Sequence, residues 1–477
     1  MGIQLDWQIE ADQTHQRNQE DPSQRRRRRR NRLRLILIAL TIALVLAGVG
    51  VAIILRLQAV SGRVENDLRA VVNAELVALR IGDETAYMNM HRTTNQPWLE
   101  RQRAYFQDYQ SLKESGRVLP DSEVVTVAID DQRARVVVQQ TVDSIPQQQV
   151  WFYWQYEDLV EADDEQGGWR RVPPDVEFWG DEATLENDVS RVIFNELDAD
   201  LARALAPRLD AWWSDGCAWL GCAAPPPDLE VIIDPRAGIP LAWEPEDGWR
   251  LRVLSPYLSG RVPVSQDVPS GIERDLSRAI AERLIAYASE GRIRYAPADE
   301  NVVNFDMEWV YDALREWLIG QYRQQPAPFM DSIVQTFGPE AVTRIASTPL
   351  SSRQIDALGP LLVPGASGLL ALDRGALSAI DWTPFFQWRL RLERQRLQNE
   401  DLDGFFTLYE TGNFNEAANA RAFDGAYRTS PPETLTNVAF STRADGTLVA
   451  LVEAADLNSN IVQISFVWNG DTFLRVN

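Results

Sequence analysis

Apolar residues run almost unbroken over positions 35–55, interrupted only by Thr41 and by the small Gly48 and Gly50. Roughly 20 apolar residues suffice for a helix to cross the hydrocarbon core of a bilayer, so this run predicts one transmembrane helix. Beyond it the pattern shifts to helical spacing. Leu68, Val71, Val72, Leu76 and Leu79 predict a helix over 64–90, and a second is predicted over 98–112. Alternating positions then predict strands at 124–129, 134–142, 150–160 and 168–172, with Asp130-Asp131 and Glu165-Gln166-Gly167-Gly168 as turns. Helices followed by an antiparallel sheet make an α+β unit.

The end of the chain repeats this plan. A helical stretch through Leu402, Phe405, Phe406 and Leu408 precedes predicted strands at 437–442, 447–454, 461–468 and 472–476, the last two joined by an Asn469-Gly470 turn. Ile129 to Val138 can be laid on Thr442 to Leu451, which sets Ala134 against Thr447. Trp169-Arg170-Arg171-Val172 likewise parallels Phe473-Leu474-Arg475-Val476. Between the two lie a predicted amphipathic helix at 198–213, a strand at 229–233, the segment 249–258 and a helix at 271–289 whose apolar face is Ile272, Leu276, Ile280, Leu284 and Tyr287.

Charge orients the predicted span. Arg25 to Arg30, Arg32 and Arg34 precede it, whereas Arg56 and Arg63 stand among mixed residues on the other flank. Positive charge stays inside, so residues 1–34 are expected as a basic cytoplasmic tail, 35–55 as the membrane helix, and the bulk of the chain outside the cell membrane. A cleaved signal peptide is the alternative, but its apolar region would be shorter, roughly 7 to 15 residues. Nine arginines against five carboxylates give the tail +4, so a net charge of −22 leaves −26 for the remainder (−22 − 4). An ectodomain this acidic repels nucleic acid, and the arginine block is better explained by topology and anionic inner-leaflet lipid.

Cys217 and Cys222, the two cysteines, are expected in a Gly/Pro-rich loop, continued by Pro225 to Pro227, on the expected oxidising side. A short-range disulfide is the default, with free thiols and zinc as the competing uses. Zinc would need two further ligands, and the chain has only His15 and the distant His91.

A helix ending in Gly82-Asp83 and strands leading to a W-x-R-type strand resemble the nuclear-transport-factor-2-like superfamily, including its SnoaL-type members. The resemblance implies cone-shaped α+β units at 56–183 and 392–477. Such sheets often hold a ligand in their concave face, and no Tyr and Asp set here matches an isomerase site.

The middle segment, 184–391, resembles the peptidase MA-like gluzincins, zinc proteases with HExxH on one helix and a glutamate on the next. Laying Leu276 to Leu284 on that pattern puts Arg278 and Glu282 at the two histidine positions and Ala279 at the catalytic glutamate, while Asp312 in Trp309-Val310-Tyr311-Asp312 takes the third ligand position. Arginine cannot ligate zinc and alanine cannot activate water, so the resemblance implies a degenerate, mostly helical domain without metal or cofactor. Arg278 and Glu282 are expected to pair at i,i+4.

Other chemistry finds little support. Gly365-Ala366-Ser367-Gly368 lacks the last glycine of a nucleophile elbow, Lys113 has no dyad context, and Asp456 to Asn460 starts like a calcium loop but Ile461 replaces its glycine. Trp151, Trp154, Trp169 and Trp179 suit a core better than a sugar-stacking face. The expectation is a single-pass, N-in membrane protein acting by binding an extracytoplasmic protein or small ligand and not by catalysis. The alternative is a carboxylate-based hydrolase or isomerase site in one of the concave sheets.

Overall fold

Helix α1 runs without a break from Pro22 to Ile81. The computed structural model describes residues 22–119, 121–157, 167–236, 241–245, 248–258, 260–264, 268–293, 295, 308–348, 355–410, 434–455 and 461–476. The calcium-like start at 456–460 lies outside them. The span and the following helix are thus one element, because residues 56–63 contain no proline and only Gly62 to weaken the helix. At 1.5 Å per residue its 60 residues reach about 90 Å. Its apolar part is long and apolar enough to cross a membrane, and Leu44 and Leu46 there are 65% and 66% exposed. Further along, Leu68, Val72, Glu75 and Leu79 turn one buried face to the first compact unit.

That unit comprises Met1–Ile145 and Val150–Pro174. Gly82, at φ +84°, ends α1, and the Asp83 carboxylate caps α2 (Glu84–Asn89) by accepting from the Ala86 amide. Helix α3 (Gln96–Glu114) follows. Strands β1 (Glu123–Asp130), β2 (Arg133–Val142), β3 (Ile145–Tyr156) and β4 (Gly168–Val172) lie side by side in chain order. The third strand starts before the expected position 150 and is described as strand only to Tyr156. Trp151, Tyr153 and Trp169 fill the inner face against Leu68, Val72 and Leu76, so two of the four tryptophans considered for sugar stacking are core. Trp154 is exposed, while Trp179 is buried in the second unit, where its indole N–H donates to Asp198 at 2.9 Å.

The second unit comprises Pro146–Gln149 and Asp175–Asn477. Its first sheet has β5 (Glu182–Glu186), β6 (Ser190–Asn195), β7 (Leu229–Asp234), β8 (Ala242–Trp243) and β9 (Arg250–Leu254) in the order β5-β6-β7-β9-β8. The three central strands are parallel and the two edges antiparallel. The crossover from β6 to β7 is α4 (Ala199–Leu220), longer than the expected helix, so Cys217 sits in its last turn and not in a loop. Gly221, at φ +69°, closes the helix: its amide donates to Ala218 O and that of Cys222 to Cys217 O, a Schellman stop. Cys217 and Cys222 form a disulfide across this stop. Gly216 is required by packing, since a Cβ there would stand 2.2 Å from Tyr322 Oη and 2.7 Å from Leu284 Cδ1.

Helices α5 (Ser270–Ala288), α6 (Glu308–Arg323), α7 (Pro328–Phe337), α8 (Pro339–Ser347), α9 (Thr383–Gln398) and α10 (Leu402–Phe406) lead to a second antiparallel meander. Its strands are β10 (Thr434–Thr442), β11 (Leu448–Ala455), β12 (Ile461–Trp468) and β13 (Phe473–Val476). The boundaries expected at 183/184 and 391/392 fall inside β5 and α9. One continuous core joins Val192, Leu284 and Trp309 to Phe386, Val452 and Phe466, so the middle and C-terminal segments share a single compact unit.

The expected repeat is present within each unit taken separately. Asp83 and Asp401 both cap the short helix that follows the long one, each accepting from the amide three residues on, and Gly82 and Glu400 before them both have positive φ. His91 bridges Arg171 as Tyr409 bridges Arg475, with both arginine amides held by the residue before the bridge. Both meanders carry a bulge near the start of the first strand, between Val124 and Thr126 and between Leu435 and Asn437. Those bulges set the true correspondence. Val138 and Ala454 occupy the same place, hence Ala134 matches Ala450 and not Thr447. The earlier alignment was displaced by the longer hairpin at 443–447, and its register put an outward residue on an inward one.

Candidate functional site

Two kinds of polar site emerge. One is buried in the first sheet. Glu75, on the apolar stripe of α1, is fully buried; its Oε1 lies 2.5 Å from Arg171 Nη1 and its Oε2 accepts from Tyr153 Oη at 2.7 Å. Arg171 points inward because it follows inward-facing Trp169 by two residues on β4. Its guanidinium lies 3.9 Å from the Trp151 ring and donates to Tyr87 Oη at 3.3 Å. Burial draws its pKa down, but Glu75 and the neighbouring phenols outweigh that and hold it above the ordinary arginine value. Burial pushes the Tyr87 and Tyr153 hydroxyls up as well.

His91 completes the cluster. Its Nδ1 lies 2.8 Å from Tyr87 O, so it donates there, and Nε2 lies 3.6 Å from Glu75 Oε1. Burial pushes its pKa down to about 4 against the opposing pull of Glu75, so it is neutral at pH 7. The counterpart cluster in the last sheet pairs Glu393 with Arg475 at 2.5 Å, beside Tyr409. Phe466 stands where Tyr153 stands in the first sheet, and Glu393 Oε1 is buried without a hydrogen-bond partner among the described residues. Arg389, also buried there, is pushed down to about 10 by desolvation.

These clusters hold cores together. The fully or nearly buried carboxylates among the described residues, Glu75, Asp198, Asp234 and Glu393, are each tied to an arginine, a serine or an indole and are not brought together in pairs. Removing one partner of such a buried pair costs about 3–5 kcal/mol.

The second site is the α5–α6 pair, where the structure brings together all four positions picked from the sequence. Arg278, Ala279 and Glu282 lie on α5 and Asp312 on α6. Their organiser is Arg315, which the sequence reading missed. Its Nη1 reaches Glu282 at 3.3 Å, and its Nη2 reaches Asp312 at 3.1 Å and Glu316 at 3.3 Å. Glu282 therefore pairs with Arg315 and not with Arg278, which makes no ion pair among the described residues. Arg315 follows Asp312 by three residues, the spacing at which helical side chains meet, and that was the available signal.

Burial pushes the Glu282 and Asp312 carboxyls up, with Arg315 opposing. Burial pulls Arg315 down, but Asp312 and Glu282 carry it above its ordinary value. A zinc ion does not fit this arrangement. The guanidinium of Arg315 already satisfies both carboxylates, Arg278 is no ligand, and Ala279 offers no base. No three His, Cys, Asp or Glu side chains gather as a metal-binding group among the described residues. The remaining candidates are structural: Lys113 Nζ donates to Arg80 O at 2.7 Å, and His91 is buried. No family model matches the chain, and no curated protein matches it.

Proposed function

We infer that the protein is a single-pass membrane-anchored binding protein, N-terminus inside and bulk outside the cell membrane, built from two nuclear-transport-factor-2-like units around a degenerate gluzincin-like segment. The anchor half of α1 supports the membrane placement, with its exposed apolar side chains and the preceding arginines. The matching caps, bulges and arginine bridges of the two meanders support common descent of the two α+β units. The single observation that carries the non-catalytic reading is Arg315, which neutralises Glu282 and Asp312 where a zinc protease would need a metal.

Elemental analysis of the purified full-length protein tests this reading. It should contain no stoichiometric zinc, cleave no member of a peptide library, and melt at the same temperature with and without chelator, because no metal binding is linked to folding. Stoichiometric zinc together with chelator-sensitive cleavage would refute it.

A further inference from the structure

Beside this network lies a cleft ringed by arginines. A cavity of about 350 Å3 opens among α5, α6, α7 and the start of α9, within the size range that takes up small organic ligands. Trp309, Phe329 and Met330, all buried, supply its apolar lining. The Trp309 indole N–H has no hydrogen-bond partner among the described residues. Arg274, Arg278, Arg323 and Arg391 stand around the same cavity.

Two carboxylates also line it, but Arg315 engages both Asp312 and Glu316, and exposed Asp275 takes Arg274 at 3.4 Å. The side chains of Arg278, Arg323 and Arg391 make no hydrogen bond or ion pair among the described residues. Asp312 lies in the field of Arg278 and Arg391 but is held directly by Arg315, so three guanidiniums without a direct ion pair crowd one apolar cavity and raise the local concentration of anions. The planar fork of arginine matches carboxylate and phosphate oxygens.

We propose that this cleft binds a small amphipathic anion: an apolar ring or short chain seated against Trp309, Phe329 and Met330, with its carboxylate or phosphate held by Arg278 and Arg391. The proposal rests on the non-catalytic reading of the α5–α6 region and names the ligand class of that region. A soluble acid and an anionic lipid share this chemistry.

The test uses the full chain in phosphatidylcholine nanodiscs, titrated with 1-naphthyl phosphate by calorimetry. The expected result is saturable binding at one site, at least tenfold tighter than inorganic phosphate or uncharged 1-naphthol. The double variant Arg278→Gln, Arg391→Gln should weaken it at least tenfold with an unchanged melting temperature, since both side chains are exposed. Arg274→Gln, whose side chain has its own carboxylate partner, should weaken it less. Phosphatidylglycerol in the disc should compete if a lipid is the source and leave the isotherm unchanged if a soluble acid is; either result upholds the anion site. Absence of saturable binding, or equal affinity in the double variant, overturns the ligand class while leaving the zinc-free, non-proteolytic reading intact. Zinc and proteolysis in the same preparation would overturn both.

Discussion

Glu75 on α1 and Glu393 on α9 occupy matching places on the helices that precede the two meanders, yet only Glu75 has a donor for each oxygen. Tyr153 supplies the second donor, and Phe466 at the matching position has none to give. A buried acceptor left unpaired costs about 1–3 kcal/mol. Phe466→Tyr should therefore raise the stability of the second unit by roughly 1 kcal/mol in denaturant unfolding, and Tyr153→Phe should destabilise the first unit by a similar amount. An unchanged or lowered midpoint for Phe466→Tyr would show that the two positions differ in more than the hydroxyl. His91 gives the first unit a pH dependence. Its folded pKa, about 4, lies below the ordinary 6.5, so the unfolded chain takes up the proton first as pH falls. Stability is full above about pH 6.5 and declines toward pH 4, by on the order of 3 kcal/mol, and His91→Gln should flatten that slope.

At the scale of elements, the disulfide closes the end of α4. Non-reduced peptide mapping should recover Cys217 and Cys222 as one linked peptide, and Cys217→Ala with Cys222→Ala should cost about 2 kcal/mol, since so short a loop restricts the unfolded chain only modestly. Apolar spacing in the sequence places both meanders, β7 and α5 close to their observed limits, because each is decided by which face is buried, whereas the span expected at 35–55 and the helix expected at 64–90 are one helix that Gly82 ends at Ile81. It fails where turn-forming residues hide a buried face: Pro225 to Pro227 suggested a loop through Cys217, but the helix runs on for two more turns with Gly216, Cys217 and Leu220 buried. The register of the repeat was invisible for a related reason: alternating strands match at several offsets, and only the backbone bulges distinguish them. Glu75 and Arg171 were readable from periodicity, one on the apolar stripe of α1 and the other two residues after Trp169. Arg323 and Arg391 lie on different helices, so no local spacing could have joined them to Arg278.

The whole molecule is organised by the length of α1 and by charge. One end of the helix carries the arginine block, its middle is apolar and exposed, and its far end builds the first unit, in a chain whose remainder carries −26. On the proposed reading this polarity puts the tail inside and the chain beyond residue 56 outside. The direct measurement is labelling of intact cells with an impermeant thiol reagent, using single cysteines introduced at Ser61 and Asn18 while Cys217 and Cys222 remain joined. The account predicts labelling at Ser61 and protection at Asn18 until the membrane is opened. Labelling at Asn18 with protection at Ser61 would contradict it.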